Sequence, residues 1–166
     1  MAGEAEREHV GAMRPNRLPA VAMWALGWAG IFAGGLVAAV TDPLDFYRGS
    51  WMAAFLVLVV GAAQVMMSWA RRHWGTSRAA AGWAQCAAWN IGSAGVIAGT
   101  LAETSLVVFV SSAVLVAALV IASLDTRSAR NTSGDALRLL AYRALLLILA
   151  VSIPVGMVLS YLRHTG

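Results

Sequence analysis

GWAQCAAWNIGSAGVIAGTLAE, residues 82 to 103, decides the fold, because it is apolar enough for a membrane yet carries Gln85, Cys86, Asn90, Ser93 and Thr100. Advanced by about 100° per residue, Gln85, Cys86, Trp89, Asn90, Gly92, Ser93, Val96, Ile97, Gly99, Thr100 and Glu103 fall on one arc of roughly half the helix circumference. The other half is Ala84, Ala87, Ile91, Ala94, Gly95, Ala98, Leu101 and Ala102. Such segregation gives a helix an inside and an outside, so this segment is expected at the centre of a helical bundle.

Four further apolar segments surround it. They run over 18–40, 51–70, about 105–124 and about 139–162, and with 82–102 each is long enough for the ~20 residues that cross ~30 Å of hydrocarbon. The first ends in the turn chemistry of Thr41-Asp42-Pro43, the second at Arg71-Arg72-His73, and the third meets the fourth through a short turn at Glu103-Thr104. Residues 1–17 mix Glu and Arg with little apolar content and are expected to form a disordered cytoplasmic tail. Met13, just before RPNR, is an alternative start. The first segment exceeds the length of a signal-peptide core and is followed by four more, so a retained anchor is expected.

Composition agrees with a membrane protein. The chain has 166 residues, 60% hydrophobic and 12% charged, with a mean hydropathy of +0.71. Both fractions lie well away from those of soluble domains, which are about 25% charged. The expected fold is therefore an all-α integral membrane bundle of five transmembrane helices filling residues 18–164. The net charge of +4 comes from twelve scattered arginines and no lysine, which speaks for membrane topology and against nucleic acid. Nine arginines fall in the tail and the 71–81 and 125–138 loops, whereas only Arg48 and Arg163 fall on the other side. The amino terminus is therefore expected in the cytoplasm and the carboxyl terminus outside, in the cell membrane. Trp51, Trp69, Trp74 and Trp83 sit at span ends, as interfacial indoles do, while Trp24, Trp28 and Trp89 lie deeper and are expected between helices.

The candidate sites each have a functional and a structural reading. Gln85, Cys86, Trp89, Asn90, Ser93 and Thr100 could line a polar cavity or simply adhere to neighbouring helices, and adhesion is the commoner use of such groups. Gly30 with Gly34, and Gly95 with Gly99, have the small-xxx-small spacing of close helix packing, within the chain or in an oligomer. Arg143, one turn into the fifth segment, is the deepest charge by sequence and is expected to snorkel to the interface or contact an anionic headgroup. Pro154 should bend the fifth helix.

Other chemistries find little footing. His9, His73 and His164 all lie outside the spans, which argues against a bis-histidine heme. Met66, Met67 and Cys86 are soft ligands, but adjacent methionines diverge by about 100° on a helix, so no metal is expected. Asp42, Asp45, Arg48, Glu103 and His164 could gather at the outer face, yet no motif sets a nucleophile beside them, and no enzyme is expected. Asn131-Thr132-Ser133 matches a glycosylation sequon on the cytoplasmic side and carries no weight. A single cysteine excludes an intrachain disulfide. The chain thus reads as a multi-pass membrane protein without cofactor, in contact with the bilayer. Its expected role is that of an accessory or assembly subunit with other membrane subunits or copies of itself; the alternative is a small transporter or channel lined by the third span's polar face.

Overall fold

The computed structural model describes residues 17–74, 78–125 and 140–149. Most of the tail, Arg127, Arg130, Arg138, the sequon, Pro154, Arg163 and His164 lie outside them. Among the described residues there are five helices and no strand: α1 (Leu18–Thr41), α2 (Gly49–Trp74), α3 (Ala79–Leu101), α4 (Ser105–Asp125) and α5 (Leu140–Leu149). Three of them, α1, α2 and α4, are long and apolar enough to cross a membrane, which makes this a helical membrane protein. At 23 residues α3 is of spanning length but more polar, for the reason that its sequence arc implies.

Glycines set the spacing between α1 and α2. A Cβ on Gly34 would stand 2.6 Å from Val57 Cγ2 and 2.9 Å from the Ala53 carbonyl, and one on Gly27 would stand 2.7 Å from Val65 Cγ2 and 3.0 Å from the Gly61 carbonyl. Gly30 lies against Val60 and Gly61 in the same way. The pairing runs antiparallel, and Gly27 meets Gly61 across it. There α2 is not α-helical: Leu56–Ala63 is a π-helix, in a stretch where β-branched Val57, Val59 and Val60 meet Gly61 and local preference for α geometry is weakest.

The α3–α4 hairpin is built likewise. Gly92 faces Leu115, Gly95 faces Ser111, and Gly99 faces Val107 and Val108. Gly95 is thus turned to a neighbouring helix of its own chain, although it lies off the polar arc. The inner stripe of α4 is Ser112, Leu115, Ala118, Leu119 and Ala122, and α5 adds Tyr142, Leu146 and Leu149 to the common core. Tyr142 rests against Trp74 at a ring separation of 6.3 Å.

At the end opposite the arginine-rich one, α1 and α3 stop by the same device. Phe46 N–H donates to the Thr41 carbonyl and Asp45 N–H to that of Asp42; Thr104 N–H donates to the Gly99 carbonyl and Glu103 N–H to that of Thr100. These are the paired bonds of a Schellman cap, which needs a left-handed residue at its centre. Here that residue is acidic rather than glycine, with φ of 48° at Asp45 and 55° at Glu103. Arg48 offsets the second by an ion pair to Glu103 at 2.6 Å and a further bond to the Thr100 carbonyl.

Two expectations need correction. Trp24 and Trp28 do not pack between helices; they stand on the outer face of α1, 46% and 41% exposed, in a ladder with Phe32. The second helix does not stop at Ala70. It runs four residues further to Trp74 and carries Arg71, Arg72 and His73 into its last turn. An uninterrupted helical stretch follows the inward face of its neighbour, and Arg71 and Trp74 both gain a buried position by it.

Candidate polar seam between three helices

The buried residues of α3 are Gly82, Gln85, Cys86, Trp89, Gly92, Ser93, Val96 and Gly99, while Ala84, Ala87, Ile91, Ala94, Ala98 and Leu101 are exposed. The Gly92, Gly95 and Gly99 edge meets α4. The middle of the face meets α2, as the contacts of Gln85 and Trp89 show. Cys86, Asn90 and Ser93 continue round the same helix face, with Cys86 and Ser93 buried and Asn90 half-buried.

Gln85 is the best-connected member. Its Oε1 accepts from Arg71 Nη1 at 3.4 Å, and its Nε2 lies 3.3 Å from Met67 Sδ. Trp89 is fully buried and donates Nε1–H to the Val59 carbonyl at 3.2 Å, within the π-helical turn. Asn90 turns back on its own helix, donating to the Cys86 carbonyl at 2.8 Å. Thr100 offers its carbonyl to Arg48. Ser93 is only 2% exposed and its Oγ has no hydrogen-bond partner among the described residues.

The facing residues of α2 escaped the sequence reading. Gln64, Ser68 and Arg71 recur at i, i+4 and i+7, one helical stripe, and all three are buried. Ser68 Oγ donates to the Ala20 carbonyl of α1 at 2.6 Å. Gln64 has 0% exposure, and neither its Oε1 nor its Nε2 finds a partner among the described residues. It lies one turn from Ser68, which binds α1, and one turn from Met67, which contacts Gln85 of α3.

Arg71 replaces Arg143 as the deepest described charge. It is 7% exposed and donates Nη2–H to the Arg78 carbonyl at 2.7 Å as well as reaching Gln85. Its guanidinium lies flat on α3 because residue 82 is glycine: a Cβ there would stand 2.6 Å from Nε and 2.7 Å from Cζ. Arg143, in contrast, is half-exposed in the first turn of α5.

The remaining candidates are dispersed. Met67 is buried against Gln85, while Met66 points outward, so the two do not converge with Cys86. His73 holds the Trp69 carbonyl through Nδ1 at 3.0 Å and lies against the Trp69 ring. Of the outer charged group, only Arg48 and Glu103 are joined by an ion pair among the described residues. No three His, Cys, Asp or Glu side chains come together to hold a metal among them.

What the seam offers is a line of uncharged polar groups along the shared face of three helices, capped at one end by Arg71 with Gln85 and at the other by Arg48 with Glu103. Comparison with protein-family models, with curated proteins and with solved structures finds no match to this chain.

Proposed function

We propose that the chain is a five-span protein of the cell membrane, amino terminus in the cytoplasm and carboxyl terminus outside. It acts without catalysis as an accessory or assembly subunit, alongside other membrane subunits or copies of itself. The orientation is supported by the arginines. Arg17 before α1, Arg71 and Arg72 at the end of α2, Arg78 before α3 and Arg143 at the start of α5 share one end of the antiparallel bundle, and Arg48 lies at the other. The span count is supported by α3, whose polar groups are turned inward, and by the apolar sequence that continues past α5.

The observation that carries the subunit reading is on the outer face of α1. Gly27, Gly30 and Gly34 are consumed by α2, but a Cβ on Gly35 would meet nothing within 4 Å. It stands beside exposed Phe32 and Leu36, in line with Trp24 and Trp28. Against acyl chains a glycine brings no contact and costs about 1 kcal/mol of helix propensity relative to alanine; against another helix it lets two backbones approach closely. Gentle-detergent purification from native membrane should bring down a stoichiometric partner or a second copy. Gly35→Leu should release it without loss of fold. A chain that purifies alone, or a Gly35→Leu variant that keeps its partner, would overturn the reading.

A second reading, a small transporter or channel, is favoured by the unpaired buried Gln64 and Ser93. It predicts solute flux in liposomes that falls in Gln85→Leu or Asn90→Leu. Absence of flux across a broad panel of small solutes would remove it.

A further inference from the structure

Among the described residues, Gln64 and Ser93 are the seam residues whose side chains are buried with no polar atom hydrogen-bonded. A carboxamide with neither its oxygen nor its nitrogen bonded is costly in an apolar interior, where no solvent compensates it. Gln64 also follows directly on the π-helical segment Leu56–Ala63. A π turn holds about one residue more than an α turn, so rewinding it would rotate Gln64 by about 100° relative to Phe55. Glycine at 61 and the Trp89 bond to Val59 lie inside the segment that would rewind.

We propose that the packed seam is the closed state of a binding site for a small uncharged molecule that both donates and accepts hydrogen bonds, and that the π-helical segment of α2 is the element that opens it. Gln64 offers an acceptor and two donors. The charge nearest along α2, Arg71, is two turns away and already holds Gln85 and the Arg78 carbonyl, so a charged guest would find no counter-charge beside Gln64. Water, small polyols and small amides share the required chemistry. The inference rests on the transport reading for the site's use. Flux tests that reading separately, since a chain that binds without transporting would fail there and pass the following test.

Cys86, the chain's single cysteine, is buried on the seam side of α3 and serves as a native reporter. Methanethiosulfonates attack thiolate, which forms only where water reaches. With the full chain in liposomes below its melting temperature, Cys86 should be modified by methanethiosulfonate ethylammonium, read by intact mass. Gln64→Leu and Gln64→Met should slow modification by about tenfold or more, because closing the seam no longer leaves an amide unpaired. Protection by glycerol, by urea or by neither, relative to a free-thiol peptide in the same solution, identifies a polyol, an amide or water alone as the guest. A thiol that stays unreactive until the chain melts would overturn the proposal, and so would an unchanged rate in both Gln64 variants.

Discussion

Gly34 and Gly35 are neighbours in sequence and opposites in space, so one methyl group placed on each in turn tests the packing of α1. At Gly34 the added carbon would stand 2.6 Å from Val57 Cγ2, 2.9 Å from the Ala53 carbonyl and 3.0 Å from the Val57 nitrogen. Ordinary carbon contacts lie at ~3.5–4.0 Å, so α1 and α2 would have to part by about 0.5–1 Å, which forfeits a quarter to a half of the attraction along that line. Overpacking of this kind costs ~1–3 kcal/mol, and the better helix propensity of alanine returns about 1 kcal/mol. Gly34→Ala should therefore destabilise by about 0–2 kcal/mol. At Gly35 there is nothing within 4 Å to displace, and only the propensity gain of about 0.5–1 kcal/mol remains. With ~2–4 °C per kcal/mol at this chain length, the two variants should differ by about 1–12 °C in melting temperature, Gly35→Ala the more stable. Purified protein in mild detergent, heated while its helicity is followed by far-ultraviolet circular dichroism, reports unfolding. If both variants shift in the same direction by the same amount, Gly34 does not face α2 and the helix pairing is wrong.

Four further outcomes are expected in the same assay. Gly82→Ala should cost about 2 kcal/mol by pushing the Arg71 guanidinium off Gln85 and the Arg78 carbonyl; in an Arg71→Met background it should be neutral or slightly stabilising, and a double-mutant cycle measures the difference. Asp45→Gly should stabilise by about 1 kcal/mol by relieving a left-handed φ of 48°. Glu103→Gly should come out near zero, because relief there is offset by loss of the Arg48 ion pair. Trp89→Phe removes the bond to the Val59 carbonyl together with one ring of a fully buried indole and should cost about 2–4 kcal/mol.

The architecture was legible because two periodicities carry it. The arc drawn on residues 82 to 103 matches the side of α3 that the bundle covers, since covering a half-polar helix with anything but its polar half would strand hydrogen-bonding groups in lipid. Helix ends were legible to within a few residues where Thr41-Asp42-Pro43 and the Glu103-Thr104 turn mark them. The aromatic ladder of α1 was not, because depth in the sequence says how far a tryptophan lies from the interface and nothing about which way it faces. Trp24 and Trp28 share their depth with Met23 and Gly27, which are buried, and differ from them only in azimuth.

The buried half of the seam on α2 was hidden by a conflict between two sound rules. Arg71-Arg72-His73 satisfies the rule that cytoplasmic loops collect arginine, and so reads as the point where a span stops. Yet a basic residue can belong to that end and still face inward, provided the last turn continues the helix and the neighbour makes room. Gly82 makes the room, and the Gln64, Ser68 and Arg71 spacing continues the turn. Either feature alone is commonplace: a glycine near a helix start, a polar stripe in a span. Together they place a cation against the first turn of α3, bonded to an amide that the sequence had already set on the inward face. The same logic sorts Arg143, where α5 offers no such pairing of stripe and glycine and the side chain stays half-exposed. A buried charge in a small bundle is found by reading two helices at once, one for the spacing that aims it and the other for the missing side chain that admits it.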